Sequence, residues 1–181
     1  MAQMPMQTPQ DLFVHELSDQ LSAEQIFAQM LSEAQGLVQN PQLKDGLRQH
    51  LEETKQHAKN IEKIFQTMGV QPHPVQCRPA MGLLEQLKEG AASKPSQVVL
   101  DGLVLGGASK TEAIEIAAYT GLIEKAQAMG MAEVAQILQQ NFRQEQATLQ
   151  KLQGISQEMT RHMAAMQSGQ MGSGQQAGMT A

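Results

Sequence analysis

The sequence contains few residues that support cysteine chemistry, base stacking or membrane insertion. Its 181 residues include one cysteine, one tyrosine and no tryptophan, and aromatic residues make up 3% of the chain. The single cysteine, Cys77, excludes an intramolecular disulfide and a cysteine-based metal site, which fits a reducing compartment. The longest mostly apolar stretch, residues 98–108, contains Asp101 and is shorter than the ~18 residues that a membrane span requires.

Positive charge is also scarce. Lys and Arg together number 13 against 18 for Asp and Glu, which gives a formal net charge of -5. Nucleic-acid binding requires clustered basic side chains, so this balance argues against it. The sequence has neither a Gly-rich phosphate loop nor an H-E-x-x-H motif, and its N-terminus lacks the basic and apolar segments of a signal peptide. We expect a cytoplasmic protein with no nucleic-acid partner and no membrane partner, and no motif indicates a small-molecule substrate.

Helix-forming residues dominate the chain, and its prolines and glycines fall at the breaks between helical segments. Thr8 and Asn40 each precede a proline and have the pattern of helix starts, whereas Gly69 and Gly130 have the pattern of helix ends. The predicted long helices span about residues 9–39, 40–68, 93–129 and 131–156 or beyond. A proline-rich crossover over residues 70–80 leads into a short helix from Pro79 to about residue 92. Two helical pairs joined by a longer crossover predict an all-α, ferritin-like antiparallel four-helix bundle with a short extra helix in the crossover.

We assign the chain to one folded domain with short flanking segments. Residues 1–8 form an N-terminal lead, residues 9–157 form the bundle, and residues 158–181 comprise a helix end and a disordered tail. From Gln167 the tail is rich in Gly, Gln and Met, a composition that cannot bury enough apolar surface to fold. It is interpreted as a solubilising end, with a docking peptide for a helical assembly as the alternative.

Each predicted long helix carries at least one glutamate near its middle, on or beside its apolar stripe. Burying ionised carboxylates without partners costs several kcal/mol each, and two divalent cations would offset that charge. Carboxylates together with a histidine suit iron or manganese. We therefore predict a dinuclear site with iron as the first choice of metal and manganese as the alternative. The predicted ligands are Glu24, Glu53, His57, Glu112, Glu115 and Glu145.

Two further side chains are predicted to lie beside this site rather than in it. His50 is interpreted as a flanking or supporting residue, and Tyr119 as a hydrogen-bonding neighbour or a packed core residue. For each glutamate taken alone, the simpler alternative is a solvated helix edge. The prediction therefore depends on the joint pattern across the four helices.

Four segments resemble the YciF/YciE family of bacterial ferritin-like, stress-associated proteins. They are LFVHELSDQLSAEQ, HLEETKQHAKNIEKIF, CRPAMGLLE and KTEAIEIAAY, which occur in the family's order within residues 10–155. The resemblance implies a ferritin-like bundle, often dimeric, with a di-metal site, and we accordingly expect a homodimer. Carried over residue by residue, it implies the same six ligands. The chain departs from the family at Ala113, where the family has histidine, and at Gln144 and Leu149, where it has acids.

Two functions remain open at this stage. The first is a dinuclear protein that oxidises Fe(II) or consumes peroxide in a stress response. The alternative is a non-catalytic helical stress or interaction protein whose metal site is degenerate or empty, which the departures at Gln144 and Leu149 favour. The sequence does not decide whether the protein is an enzyme.

Overall fold

A computed structural model describes the backbone of residues 6–176 and the side chains of residues 6–165. Its elements are all helices: α1 (Pro9–Leu37), α2 (Pro41–Met68), α3 (Arg78–Ala92), α4 (Gln97–Ala128) and α5 (Ala132–Gln176). Helices α1 and α2 pack as one pair and α4 and α5 as another, while α3 lies against α1 and α4. The predicted all-α bundle with a short helix in the crossover is therefore confirmed.

The helix boundaries follow local chemistry that is visible in the sequence. Thr8 caps α1 through a reciprocal hydrogen-bonded box with Asp11, and Asn40 caps α2 by accepting from the backbone N–H of Leu43. Gly69 ends α2 in the left-handed conformation with φ of 67°, and Gly130 has φ of 72° between α4 and α5. Glycine suits both positions because side chains with a Cβ rarely adopt positive φ.

The last helix extends further than the sequence suggests. Helix α5 continues to Gln176, past Gln167, where the sequence predicts a disordered tail. The part of that prediction covering residues 177–181 lies outside the described residues, as do residues 1–5 of the predicted N-terminal lead. None of the described helices is both long enough and apolar enough to cross a membrane.

The apolar core of the bundle is divided into two parts. One cluster includes Phe27 and Leu47, and the other includes Phe13, Ile61 and Leu138. The sequence positions between these clusters on the four long helices carry buried polar side chains instead of apolar ones. The two apolar clusters supply the packing that holds the helices together, and the polar layer between them is the candidate site.

Asp101 on α4 forms hydrogen bonds with the connection between α1 and α2 and so holds it against the bundle. Its carboxylate accepts hydrogen bonds from the backbone N–H groups of Gln39 and Asn40 at 3.0 and 2.9 Å, and the residue is 6% exposed. Asp101→Ala would leave these donors without their acceptor, so we expect the free energy of unfolding to fall by about 2–3 kcal/mol in urea denaturation. Asp45→Ala, which removes an exposed pair with Arg48, should change it by less than about 0.5 kcal/mol. Equal losses in the two variants would contradict this role of Asp101.

Candidate metal centre

All four long helices contribute to the buried polar layer. Helix α1 supplies Glu24, α2 supplies His50 and His57, α4 supplies Glu112 and Glu115, and α5 supplies Glu145. Five of these side chains are completely shielded from solvent, and His50 is 2% exposed. On the two helices that contribute a pair, spacings of seven residues (His50 and His57) and three residues (Glu112 and Glu115) place both members on one helix face.

Oxygen and nitrogen atoms from these residues converge in two groups. One group contains Glu24, His57 and Glu145, and the other contains His50, Glu112, Glu115 and Glu145, with the chosen ligand atoms of each group within 4.8 Å of one another. Glu145 belongs to both groups. The layer could therefore hold two cations with Glu145 between them, which is the arrangement expected of a dinuclear carboxylate site.

The directions of these atoms fit cation binding better than mutual hydrogen bonding. His57 Nδ1 lies 2.7 Å from Glu145 Oε1, and His50 Nε2 lies 2.9 Å from Glu112 Oε1. Despite these short separations, none of the four atoms has a hydrogen bond of acceptable geometry among the described residues. Buried polar atoms normally have a partner. Carboxylate oxygens and imidazole nitrogens that lie close together without hydrogen bonding to one another form the arrangement that a set of metal ligands requires.

Without metal, the cluster retains protons on its histidines. Burial alone would lower the pKa of His50. Its contact with Glu112 and the charges of the other nearby carboxylates have the larger effect, and they raise this pKa to about 10. The same balance acts on His57, where contacts with Glu145 and Glu24 raise the pKa to about 10. Both imidazoles therefore carry positive charge near neutral pH. They offset part of the negative charge of the carboxylates, as bound cations would.

The glutamates of the layer divide into protonated and ionised members. Burial raises the pKa of Glu112 to about 8 and holds that of Glu115 well above its usual value. Burial acts in the same direction on Glu145, but the contact with His57 and the charge of His50 outweigh it and lower the pKa of Glu145. Metal ions prefer deprotonated ligands, so metal binding should release protons from this cluster.

Neutral side chains hold a carboxylate of each group in position. Gln20 Nε2 donates to Glu24 Oε1 at 3.1 Å and to Glu115 Oε1 at 3.3 Å. The Tyr119 hydroxyl donates to Glu24 Oε1 and accepts from Asn141 Nδ2, the latter at 2.9 Å. Tyr119 is thus a hydrogen-bonding neighbour of the layer as well as a packed core residue, which combines the two alternatives drawn from the sequence.

A glutamine fixes the other side of His57. Gln144 Oε1 lies 3.0 Å from His57 Nε2, and an amide oxygen can only accept a hydrogen bond. The ring therefore donates from Nε2, while Nδ1 is directed at Glu24 and Glu145. In the metal-free protein Nδ1 also carries a proton, and it would become the ligand atom once a metal ion displaced that proton. Metal-binding histidines usually donate their second ring nitrogen to such a partner. Gln144, at a position where the resembling family has an acid, can fill this supporting role while remaining neutral.

The structure brings five of the six sequence-predicted ligands into the two groups, and Glu53 lies outside both. Glu53 is partly exposed, accepts from Gln49 Nε2 at 2.8 Å, and places Oε2 3.8 Å from His50 Nδ1. His50, predicted as a neighbour, is instead a member of a group. The reason is helical phase, because His50 and His57 are seven residues apart on the inward stripe of α2 while Glu53 lies on its flank.

Sequence reasoning did not identify Gln20 and Asn141 as parts of the site. Both are buried, and each precedes a glutamate of the cluster by four residues, Glu24 and Glu145 respectively. That spacing is the signal that could have found them, since residues four apart share one helix face. An uncharged polar residue on an apolar stripe is nevertheless common without a site, so the signal is weak when taken alone.

A bundle with a layer of buried carboxylates and histidines at its middle defines the ferritin-like class of helical proteins. Residues 8–165 match the family described as a domain of unknown function, DUF892. The chain belongs to this family. The resemblance to YciF seen in the sequence is thereby confirmed, because Escherichia coli YciF is 30% identical over 154 residues, covering 84% of this chain and 93% of YciF.

Solved structures extend the comparison. The crystal structure of YciF, described as an Escherichia coli stress protein, superposes with a TM-score of 0.83 at 29% identity, covering 86% of this chain and 99% of that one. YcfI from Rhodopseudomonas palustris, described as a candidate structural protein, gives 0.80 at 31% identity over 84% and 98% of the two chains. A Bacillus anthracis protein described as ferritin-like and diiron-carboxylate gives 0.66 at 18% identity over 83% and 99%, which supports the fold alone.

Proposed function

We propose that the protein binds two divalent metal ions in the polar layer and uses them to oxidise Fe(II) or to consume peroxide. The observation that carries this proposal is the set of converging carboxylate and imidazole atoms that are buried and have no hydrogen-bond partner among the described residues. A fold that buries such atoms without partners is destabilised unless something else binds them. A bound cation would be a partner for the carboxylate oxygens and for the imidazole nitrogens at the same time.

Charge balance supports two ions rather than one. Four glutamates belong to the two groups, and two divalent cations would neutralise four carboxylates. The donor set contains oxygen and imidazole nitrogen but no thiolate, which suits iron or manganese better than a soft metal. We propose iron, with manganese as the alternative.

The side chains would have distinct roles in the loaded protein. Glu24 and His57 would hold one ion, His50, Glu112 and Glu115 would hold the other, and Glu145 would serve both. Bound iron would supply the redox chemistry toward dioxygen or peroxide. The Tyr119 hydroxyl donates a hydrogen bond to Glu24 and so keeps that carboxylate oriented, while the surrounding apolar clusters keep bulk water away from the layer.

A role in stress fits this chemistry. Escherichia coli YciF is described as a stress protein, and removal of peroxide or free Fe(II) would protect a stressed cell. We extend that role to this chain as part of the proposal.

The test is oxidation of Fe(II) by the protein after anaerobic loading. On addition of dioxygen or peroxide, Fe(III) should form faster than in buffer, followed by absorbance and by oxygen consumption. Glu24→Ala and His57→Ala should each slow the reaction by about tenfold or more, since each removes a ligand of one ion. Glu33→Ala on α1, which removes an exposed pair with Lys88 on α3, is the matched control and should leave the rate unchanged. Oxidation no faster than in buffer would overturn the proposed chemistry.

A non-catalytic role is the second candidate, because YcfI from Rhodopseudomonas palustris is described as a candidate structural protein. In this case the bundle itself would be the functional element. Full retention of the native fold and of thermal stability after exhaustive chelation would favour this alternative.

A further inference from the structure

A second feature of the bundle lies outside the polar layer. A cavity of about 290 Å³ opens between α3 and α4, with its floor on α1 and α2. Its floor and walls are apolar and include the buried residues Leu31, Leu47, Leu87 and Val104. This volume is close to the lower end of small-molecule sites, which begin at about 300 Å³.

Glycines on α4 keep this cavity open. Gly106 and Gly107 line it, and a Cβ placed on either residue would meet no atom within 4 Å. Packing against a neighbouring helix therefore does not require glycine at these two positions, although glycine is unfavourable in the middle of a helix. Because both positions line the cavity and are open at the Cβ, we expect a larger side chain there to reduce the space in the cavity.

The mouth of the cavity carries a positive charge. Lys110 lies there and donates from Nζ to Gln86 Oε1 at 3.1 Å, and both residues are exposed. Within the described part of the chain, Lys110 forms no ion pair with a carboxylate. An apolar cavity with an unneutralised ammonium group at its entrance matches a molecule that has an aliphatic chain and a terminal carboxylate.

We propose that this cavity, the α3–α4 cavity, binds a short aliphatic carboxylate, with its chain on Leu31 and Leu87 and its carboxylate at Lys110. One water molecule occupies roughly 30 Å³ of the liquid, so the cavity has room for about ten water-sized groups, which is the size of octanoate. Leu47 and Ala108 line the cavity one helical turn before His50 and Glu112. The aliphatic chain of the bound molecule would therefore end near the group that contains His50 and Glu112. Binding of this molecule does not require metal.

Calorimetric titration of the full-length protein with octanoate, and separately with octan-1-ol, tests the proposal. We expect one saturable site per chain for octanoate with a Kd up to about 1 mM. Gly107→Leu should weaken both ligands by about tenfold or more because leucine occupies the cavity. Gly154→Leu is the matched control, since a Cβ on that exposed α5 glycine also meets no atom within 4 Å. Gly106→Leu repeats the test if Gly107→Leu fails to fold.

The charge is tested separately. Lys110→Met should weaken octanoate by about fivefold and octan-1-ol by less than twofold. Lys63→Met, an exposed change on α2 outside the cavity, should affect neither ligand. Absence of saturable octanoate binding, or equal affinity in wild type, Gly107→Leu and Gly106→Leu, would overturn the proposal. The proposal would also be overturned if sedimentation showed a change of oligomeric state in Gly107→Leu and the wild type did not bind octanoate. That result would assign this face to contact between copies of the chain.

Discussion

Glu145→Gln is expected to abolish binding of both metal ions, so that metal content falls from about two per chain to well below one. Glu145 is the member that the two groups share, and a neutral amide oxygen is a much poorer ligand than a carboxylate. The measurement is elemental mass spectrometry of protein reloaded anaerobically with Fe(II) and then desalted. Circular dichroism confirms that the variant is folded.

Glu53→Gln is the matched control for this experiment. The two glutamates undergo the same chemical change, but Glu53 lies on the flank of α2 and outside both groups. We expect this variant to retain about two metals per chain. If Glu53→Gln lost as much metal as Glu145→Gln, the grouping of ligands described above would be wrong, and the original sequence-based ligand set would be favoured.

The stability of the metal-free protein is expected to fall as pH rises from about 6.5 to about 10. In the folded state the pKa values of His50 and His57 are about 10, above the unfolded value of 6.5, and that of Glu112 is about 8, above 4.5. Across this window the folded state binds more protons than the unfolded chain, so deprotonation favours unfolding. The lowered pKa of Glu145 acts in the opposite sense, but only below its usual value of 4.5.

Metal should reverse this trend, and the measurement is the thermal midpoint Tm against pH with and without added Mn(II). Two sites, each saturated at about a thousand times Kd, would stabilise the fold by about 8 kcal/mol. For a chain of this length that corresponds to a rise in Tm of roughly 15 °C or more. The rise should be larger at pH 8 than at pH 6.5, because metal displaces protons from the ligands. A Tm that is independent of both metal and pH would contradict a metal site in the polar layer.

The fold could be predicted from the sequence because its signals are local. The caps at Thr8 and Asn40 and the glycines at 69 and 130 delimit the helices, and the apolar stripes define the faces that pack. The short helix in the crossover follows from Pro79 and the spacing of its leucines. The end of α5 was less predictable because the composition after Gln167 favours a disordered chain, whereas the helix continues through three glycines to Gln176.

The site could be predicted in outline but not in its ligand roles. Placing Glu24 and Glu145 on inward stripes requires only helical periodicity, and this prediction agrees with their burial. Whether Glu53 or His50 faces the two groups depends on the rotation of α2 about its axis, and that rotation is set by packing against the neighbouring helices α1 and α5. Periodicity alone does not fix it, since both residues lie within the same broad stripe.

The central claim, two metal ions in the polar layer, is tested most directly by anomalous diffraction at the iron edge from crystals of protein loaded anaerobically with Fe(II). We predict two peaks within the bundle, one beside Glu24 and His57 and the other beside His50 and Glu112, with the Glu145 carboxylate between them. A layer without any peak after loading, or with iron only at surface sites, would contradict the claim and leave the buried carboxylates as a purely structural feature.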